Sequence, residues 1–205
     1  SAPNPCTKSN GFQEDCPVND SRPAASVIVP VYNAEHALPR LMHSLRRQRY
    51  PSDRVEVVLV DNNSTDRSAE VMRSFPDVKA CAFAERQSSY GARNVGVEAS
   101  RGEVLAFIDA DCWAHPDWLA EGVAGLTDGA DRVAGRVEFV MSAYPNFYEV
   151  FDAAVNFGQP DFVSRGWSGA GNLFIRRAVF DEVGMWDPTL ISNGDCEFGL
   201  RATAA

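Results

Sequence analysis

The chain has 205 residues, 45% of them hydrophobic and 23% charged, which is enough for one well-cored domain and too little for two. Lys and Arg number 19 against 28 Asp and Glu, so the formal charge is -9, and no basic face is available to neutralise a nucleic-acid backbone. No apolar run reaches the roughly 18 residues of a membrane span and no charged-then-apolar leader opens the chain, so a soluble, cytoplasmic domain is expected, with membrane association only through segments outside this sequence.

Residues 1 to about 25 hold Pro3, Pro5, Pro17 and Pro23 among polar residues and read as a tail. Five cysteines without a CxxC pair point to a reducing compartment and no zinc site; Cys6 and Cys16 could pair locally, though free tail thiols are the favoured reading. Ser26 to Val31 is a short β-branched run closed by Pro30 and Val31, the pattern of a buried strand entering a loop. Leu38, Leu41, Met42 and Leu45 follow at the spacing of one helical face, with Pro39 tolerable only in the first turn. Val55 to Val60 is a second strand that runs into Asp61-Asn62-Asn63-Ser64-Thr65-Asp66, and a helix through Phe75 is expected after it. A strand over Val78 to Ala84, a helix over Gly91 to Ser100 and a strand over Val104 to Ile108 continue the alternation, which predicts a mostly parallel sheet with helices on both faces.

Past Trp113 the alternation breaks down into a mixed α+β half. A strand is expected over Arg132 to Val140, an aromatic helix over Phe147 to Phe157, and a strand over Asn172 to Arg176 leading into a helix over Ala178 to Val183. The chain stops within a helical pattern after Phe198 to Arg201 and does not start with Met, so it is expected to be a piece of a longer protein. The division expected is a tail over 1–25 and one domain over 26–205, its nucleotide-binding half 26–112 and its acceptor half 113–205.

In a parallel sheet ligands bind outside the carboxyl ends of the strands, which puts Tyr32-Asn33, Asp61-Asn62 and Asp109-Ala110-Asp111 on one rim. Two carboxylates leaving a buried apolar strand resist desolvation unless a cation meets them, and Mg²⁺ or Mn²⁺ would bridge one Asp to a diphosphate. Arg86 and Arg93 are the cations nearest these loops in sequence, and guanidinium suits diphosphate oxygens, although a surface ion pair is the favoured reading of each taken singly. A dinucleotide fold is excluded because no glycine fingerprint follows the first strand, and a P-loop because no Gly-Lys-Ser/Thr occurs. His36, His43 and His115 read as loop or surface residues.

The ordered set Val29-Pro30-Val31-Tyr32-Asn33, Val60-Asp61-Asn62-Asn63-Ser64, Ala92-Arg93-Asn94, Ile108-Asp109-Ala110-Asp111, Gly171-Asn172-Leu173 and Gly194-Asp195-Cys196-Glu197 resembles a family 2 glycosyltransferase of the GT-A fold. The resemblance implies a Rossmann-like, mostly parallel sheet and an inverting transfer of a sugar from a nucleotide-diphosphate donor to a carbohydrate or lipid-linked acceptor. It also implies that Pro30, Tyr32, Asn33, Asp61 and Asn62 hold the nucleotide with Arg86 and Arg93, that Asp109 meets the ribose or sugar, and that Asp111 binds the metal. Trp167, Gly171 and Asn172 are expected on the acceptor side, although a core role for Trp167 is nearly as good a reading. Asp195 is the expected base. The family commonly carries Glu-Asp where this chain has Gly194-Asp195, and some relatives resemble this chain's Gly-Asp-x-Glu version, so Asp195 is kept as base with Glu197 as second choice; an ion pair with Arg201 is the favoured reading of Glu197. The aromatic stripe Phe147, Tyr148, Phe151, Val155 and Phe157 reads first as core and second as a face for a lipid-linked acceptor. The alternative function is a nucleotide-sugar-binding piece without turnover. A nucleotidyltransferase is weaker, because no Lys/Arg-bearing glycine loop follows the first strand.

Overall fold

The computed structural model describes residues 22–85, 88–127, 129–155 and 158–205. Strand β1 (Ala25–Val31) is buried along its whole length, because both of its faces carry apolar side chains. Val27, Val29 and Val31 face one core and Ile28 the other, the period of two that a pleated strand imposes. Helix α1 (Leu38–Leu45) seats Leu38, Leu41, Met42 and Leu45 on the first core, with a proline in its first turn as expected.

Strand β2 (Val55–Asp61), helix α2 (Ser68–Arg73), strand β3 (Lys79–Ala82), helix α3 (Ser89–Ala99) and strand β4 (Val104–Ile108) complete the alternating half. β3 is shorter than the expected Val78 to Ala84 and mostly exposed, since it lies at the sheet edge. Next come α4 (Trp118–Thr127), β5 (Arg132–Ala134), α5 (Phe147–Val155), α6 (Gln159–Ser164), β6 (Asn172–Arg176), α7 (Arg177–Val183) and α8 (Gly194–Ala204). The six strands form one sheet ordered β3-β2-β1-β4-β6-β5. The pairs around β1 and β2 are parallel, while β6 runs antiparallel to both β4 and β5. The second half of the chain therefore extends the same sheet. Helices α1, α2 and α4 cover one face, and α3, α7 and α8 the other.

Several expectations are corrected here. The strand expected over Arg132 to Val140 stops at Ala134, because Gly135 lies directly against the Asn172 side chain and Phe139 to Met141 are exposed. Helices α4 and α6 were not expected, although Trp118, Leu119, Gly122, Val123 and Leu126 lie on one helical stripe and are buried. Phe147, Tyr148 and Phe151 are not core: they are 75%, 76% and 48% exposed. Phe157 lies outside the described residues, as do Cys6, Cys16 and the tail up to residue 21. Cys81, Cys112 and Cys196 are free thiols, and no helix among the described residues is long and apolar enough to cross a membrane.

Candidate active site

The chain leaves β1 toward β2 in one direction and reaches β4 on the other side, so the sheet reverses its winding between β1 and β4. Open α/β sheets place a crevice at such a point. The β1–β4 ladder ends at the Ile28–Phe107 pair while β1 continues to Val31, and the proline at position 30, which has no N–H to offer, falls beyond that end. Where the strands part, an open cleft of about 400 Å³ is lined by Pro30, Tyr32, Asn33, His36, Asn62, Asp109 and Asp111. Of the residues expected on the rim from strand ends, all but Asp61 thus line one cleft.

Its walls are held by reciprocal bonds between the loops after β1 and β2. Asn33 takes a left-handed conformation (φ 47°), which Asn tolerates better than most residues, and its Oδ1 accepts the Thr65 N–H at 2.8 Å. In return the Ala34 N–H donates to Ser68 Oγ at 2.7 Å, and the Glu35 N–H to Asp66. Asp61 is half-buried, and its Oδ1 accepts the Ser64 N–H at 3.2 Å. It does not line the cleft itself but braces the loop behind it. Asn62 is buried, and its Oδ1 accepts the Ser88 N–H at 3.0 Å, tying this loop to the start of α3.

Arg93 is not a free hand for a diphosphate. It is buried to 5% exposure, and its Nη2 donates to Asp109 at 2.8 Å, while its Nε–H is buried without a partner. A guanidinium placed there orients the Asp109 carboxylate and offsets its charge. Neighbouring Asn94 bonds the Trp186 backbone through both ends of its amide. Arg86 lies outside the described residues.

Asp195 stands in the first turn of α8, and its Oδ2 accepts the Ala170 N–H at 3.2 Å. Its Oδ1 is buried with no hydrogen-bond partner. Burial pushes this carboxyl above the usual aspartate range, and the Asp109 charge adds to the effect; the Arg93 charge and the Ala170 N–H oppose it. Asp195 therefore feels both members of the Arg93–Asp109 pair. Glu197, by contrast, is bonded to Arg201, whose guanidinium also donates to the Val183 and Met185 carbonyls. The ion-pair reading of Glu197 holds.

Asp111 is exposed beside Ala110 at the cleft, and the contact recorded for its carboxylate is a weak one from the Cys112 thiol at 3.7 Å. That thiol is pushed up to about 12 by burial and by Asp111 and Asp109, which favours its protonated form. Among the described residues no cluster of three or more His, Cys, Asp or Glu side chains could hold a metal ion unaided. Mg²⁺ and Mn²⁺ do not need one: an open carboxylate plus diphosphate oxygens and water suffices, and Asp111 fits that arrangement.

The acceptor-side expectations fare unevenly. Asn172 is buried with its Oδ1 accepting the Trp118 indole N–H at 2.8 Å and its Nδ2 donating to the Arg136 carbonyl at 2.9 Å, which makes it a brace between α4, β6 and the segment after β5. Gly171 is buried beside it. Trp167 stacks on Phe162 at 4.0 Å and packs against Gly199 of α8, so one indole face is already covered. Two groups at the site carried no sequence signal: the Ala170 N–H on Asp195, and Tyr90, whose ring lies against Gly194.

Residues 26–184 match the family described as Glycosyl transferase family 2. The chain belongs to that family. It is 38% identical over 192 residues to Glycosyltransferase AglE of Haloferax volcanii, an alignment covering 89% of this chain and 62% of that protein. The mannosyltransferase PcManGT of Pyrobaculum calidifontis, solved with GDP-Man and Mn²⁺, superposes with a TM-score of 0.63 at 26% identity over 86% of this chain and 50% of its own. The S. aureus TarS structure gives a TM-score of 0.65 at 23% identity, covering 88% of this chain and 33% of that one, and shows the shared GT-A fold. This family 2 domain thus spans between a third and somewhat under two thirds of these relatives. At the Asp195 end of the site, a Cβ at Gly194 would stand 2.6 Å from the Tyr90 ring.

Proposed function

We propose that this domain moves a sugar from a nucleotide-diphosphate donor to an acceptor hydroxyl in a single inverting displacement, with a divalent metal ion at Asp111 and Asp195 as general base. The observation that carries this reading is the convergence of Tyr32, Asn33, Asn62, Asp109 and Asp111 on one cleft at the sheet's winding reversal, in a chain of this family. Tyr32 is 43% exposed over the cleft and offers a face for the nucleotide base, with Asn33 and Asn62 beside it. Asp109, held by Arg93, accepts hydroxyl hydrogens of the ribose or sugar. A bound Mn²⁺ or Mg²⁺ supplies charge stabilisation for the departing diphosphate.

In the displacement, Asp195 takes the proton of the acceptor hydroxyl as the acceptor oxygen bonds to the anomeric carbon. The bond from that carbon to the diphosphate oxygen breaks, and its electron pair leaves with the nucleoside diphosphate. A carboxylate whose proton affinity is raised by burial is a stronger base than an exposed one, provided it is ionised at the working pH, and the Arg93 charge favours that ionised form. The acceptor is a carbohydrate or lipid-linked hydroxyl, and the domain works in the reducing cytoplasm, as the free thiols of Cys81, Cys112 and Cys196 suit. The donor class found for PcManGT, a sugar nucleotide with Mn²⁺, supports the donor assignment.

A thermal-shift panel of UDP-, GDP- and dTDP-sugars with and without Mn²⁺ tests this, because a ligand that binds only the folded state raises the midpoint. At least one sugar nucleotide should raise it, and more so with Mn²⁺. No shift with any of them would end the donor assignment, and an equal shift without metal would end the role of Asp111.

A further inference from the structure

We infer that His36 is the side chain that meets the diphosphate of the donor, an assignment that rests on the donor being a nucleotide-diphosphate sugar. Linked phosphates bring negative charge into a cleft that already presents Asp109 and Asp111. Arg93 is engaged by Asp109, and one divalent cation balances only part of the charge that Asp111 and the phosphates add. Phosphate oxygens also call for N–H donors, which carboxylates cannot supply. Among the described residues that line the cleft, His36 is the one basic side chain. It comes from a different part of the chain than Asp111, the turn between β1 and α1. By sequence it is an ordinary loop residue, and only the fold brings it to the donor cleft.

The turn that carries His36 is fixed. The Ala37 and Leu38 N–H groups both donate to the Ala34 carbonyl, at 3.0 and 3.1 Å. Glu35 is tied to the loop after β2, its N–H donating to Asp66 and its Oε2 accepting the Arg67 N–H at 3.0 Å. The other oxygen of the same carboxylate, Oε1, lies 3.2 Å from His36 Nε2, while the His36 side chain is 95% exposed. A fixed carboxylate thus orients one ring nitrogen and leaves Nδ1 for a ligand oxygen. As an imidazolium the ring donates from both nitrogens and carries the positive charge that the cleft lacks. Beyond the turn, α1 is docked along the segment that follows Asp111. The Arg40 guanidinium covers the Trp113 ring at 3.2 Å from its centroid, and Ser44 Oγ accepts the Ala114 N–H at 2.9 Å. Gln48 Nε2 donates to the His115 carbonyl at 2.8 Å. His36 and Asp111 are therefore held in one frame around the cleft. Arg40, the next cation on this helix, is turned to Trp113 and does not line the cleft.

Calorimetric binding of UDP, GDP and dTDP with Mn²⁺ to the 205-residue chain tests the inference, with NMR shift titrations of uridine, guanosine and thymidine beside it. The diphosphate that the wild type binds should bind His36→Gln ~5-fold or more weakly, because a charge-assisted donor is lost. The matching nucleoside, which has no phosphate, should bind both proteins within about twofold of each other. His36→Arg keeps a positive charge and N–H donors, and should bind the diphosphate within about twofold of the wild type. Because the side chain is exposed, neither substitution should move the melting midpoint, so a loss of affinity is not a loss of fold. An unchanged diphosphate affinity in His36→Gln overturns the inference. So does an equal loss for nucleoside and diphosphate, which would move His36 to the nucleotide base, and so does a loss in His36→Arg as large as in His36→Gln. A wild type that binds none of the diphosphates would remove the donor reading itself, whereas binding that is indifferent to His36→Gln removes the role of His36 alone.

Discussion

Replacing Asp195 by Asn separates the fold's preference from the function proposed for it. Asn has nearly the same shape and keeps an oxygen for the Ala170 N–H, but it carries no charge and takes up no proton. Because the folded carboxyl lies above its ordinary range, its contribution to stability is fully present below the unfolded value of about 3.9 and is lost as pH rises through the folded value. At neutral pH the ionised group therefore opposes folding. An unpartnered buried polar group costs ~1–3 kcal/mol, more when it is charged; Asn removes the charge but puts an NH₂ with two unbonded N–H groups in place of the bare Oδ1, so relief at the low end, ~1 kcal/mol, is expected. In a domain of this size that corresponds to a Tm about 2–4 °C higher.

The assay is a series of thermal melts of wild type and Asp195→Asn from below the ordinary aspartate range to neutrality. The difference should be near zero at the acid end, where both side chains are neutral, and should open as pH rises. Transfer by the full-length variant should fall by roughly 10²-fold or more with donor affinity retained. A variant less stable at neutral pH, or a difference that does not change with pH, would refute the argument from burial. Near-normal transfer together with a dead Glu197→Gln would hand the base role to Glu197.

Asp111→Asn should weaken Mn²⁺-dependent binding of a nucleoside diphosphate by ~10-fold or more without altering the fold, and unchanged calorimetric affinity would dismiss the metal role. Asp61→Ala should raise donor KM more than it lowers kcat, because Asp61 braces the cleft wall through the Ser64 N–H; a collapse of kcat at constant KM would contradict that. Gly102→Ala should destabilise by ~1–3 kcal/mol in urea unfolding, since its Cβ would stand 2.6 Å from both the backbone nitrogen and the hydroxyl of Ser26, and an unchanged urea midpoint would show that the β1–β4 edge yields easily.

The rim of the site was legible because its residues sit at strand ends, and strand ends are written in the sequence. Val27 to Val31, Val58 to Val60 and Val104 to Ile108 are buried on both faces, so each reads as an unbroken apolar run with an abrupt polar stop. Once those stops are known, the topology of a parallel sheet brings them together without any further information. The family resemblance added the identity of the second half, where periodicity is weak: β5 keeps only a short ladder with β6, and Phe147, Tyr148 and Phe151, which read as core, are exposed.

What stayed hidden is the chemistry made by burial and by distant contact. Arg93 has the right charge for a diphosphate and stands near the right loops in sequence, and only its enclosure in the fold turns it into the partner of Asp109. Asn172 carries a family motif position, yet both ends of its amide are already bonded to other elements. Tyr90 and Gly194 are the plainest case. A tyrosine in a helix that starts with Ser89 and a glycine after an asparagine each look ordinary alone, and no local pattern couples them. Only when α3 and α8 lie on the same face of the sheet does the missing Cβ at position 194 become the space that the Tyr90 ring fills.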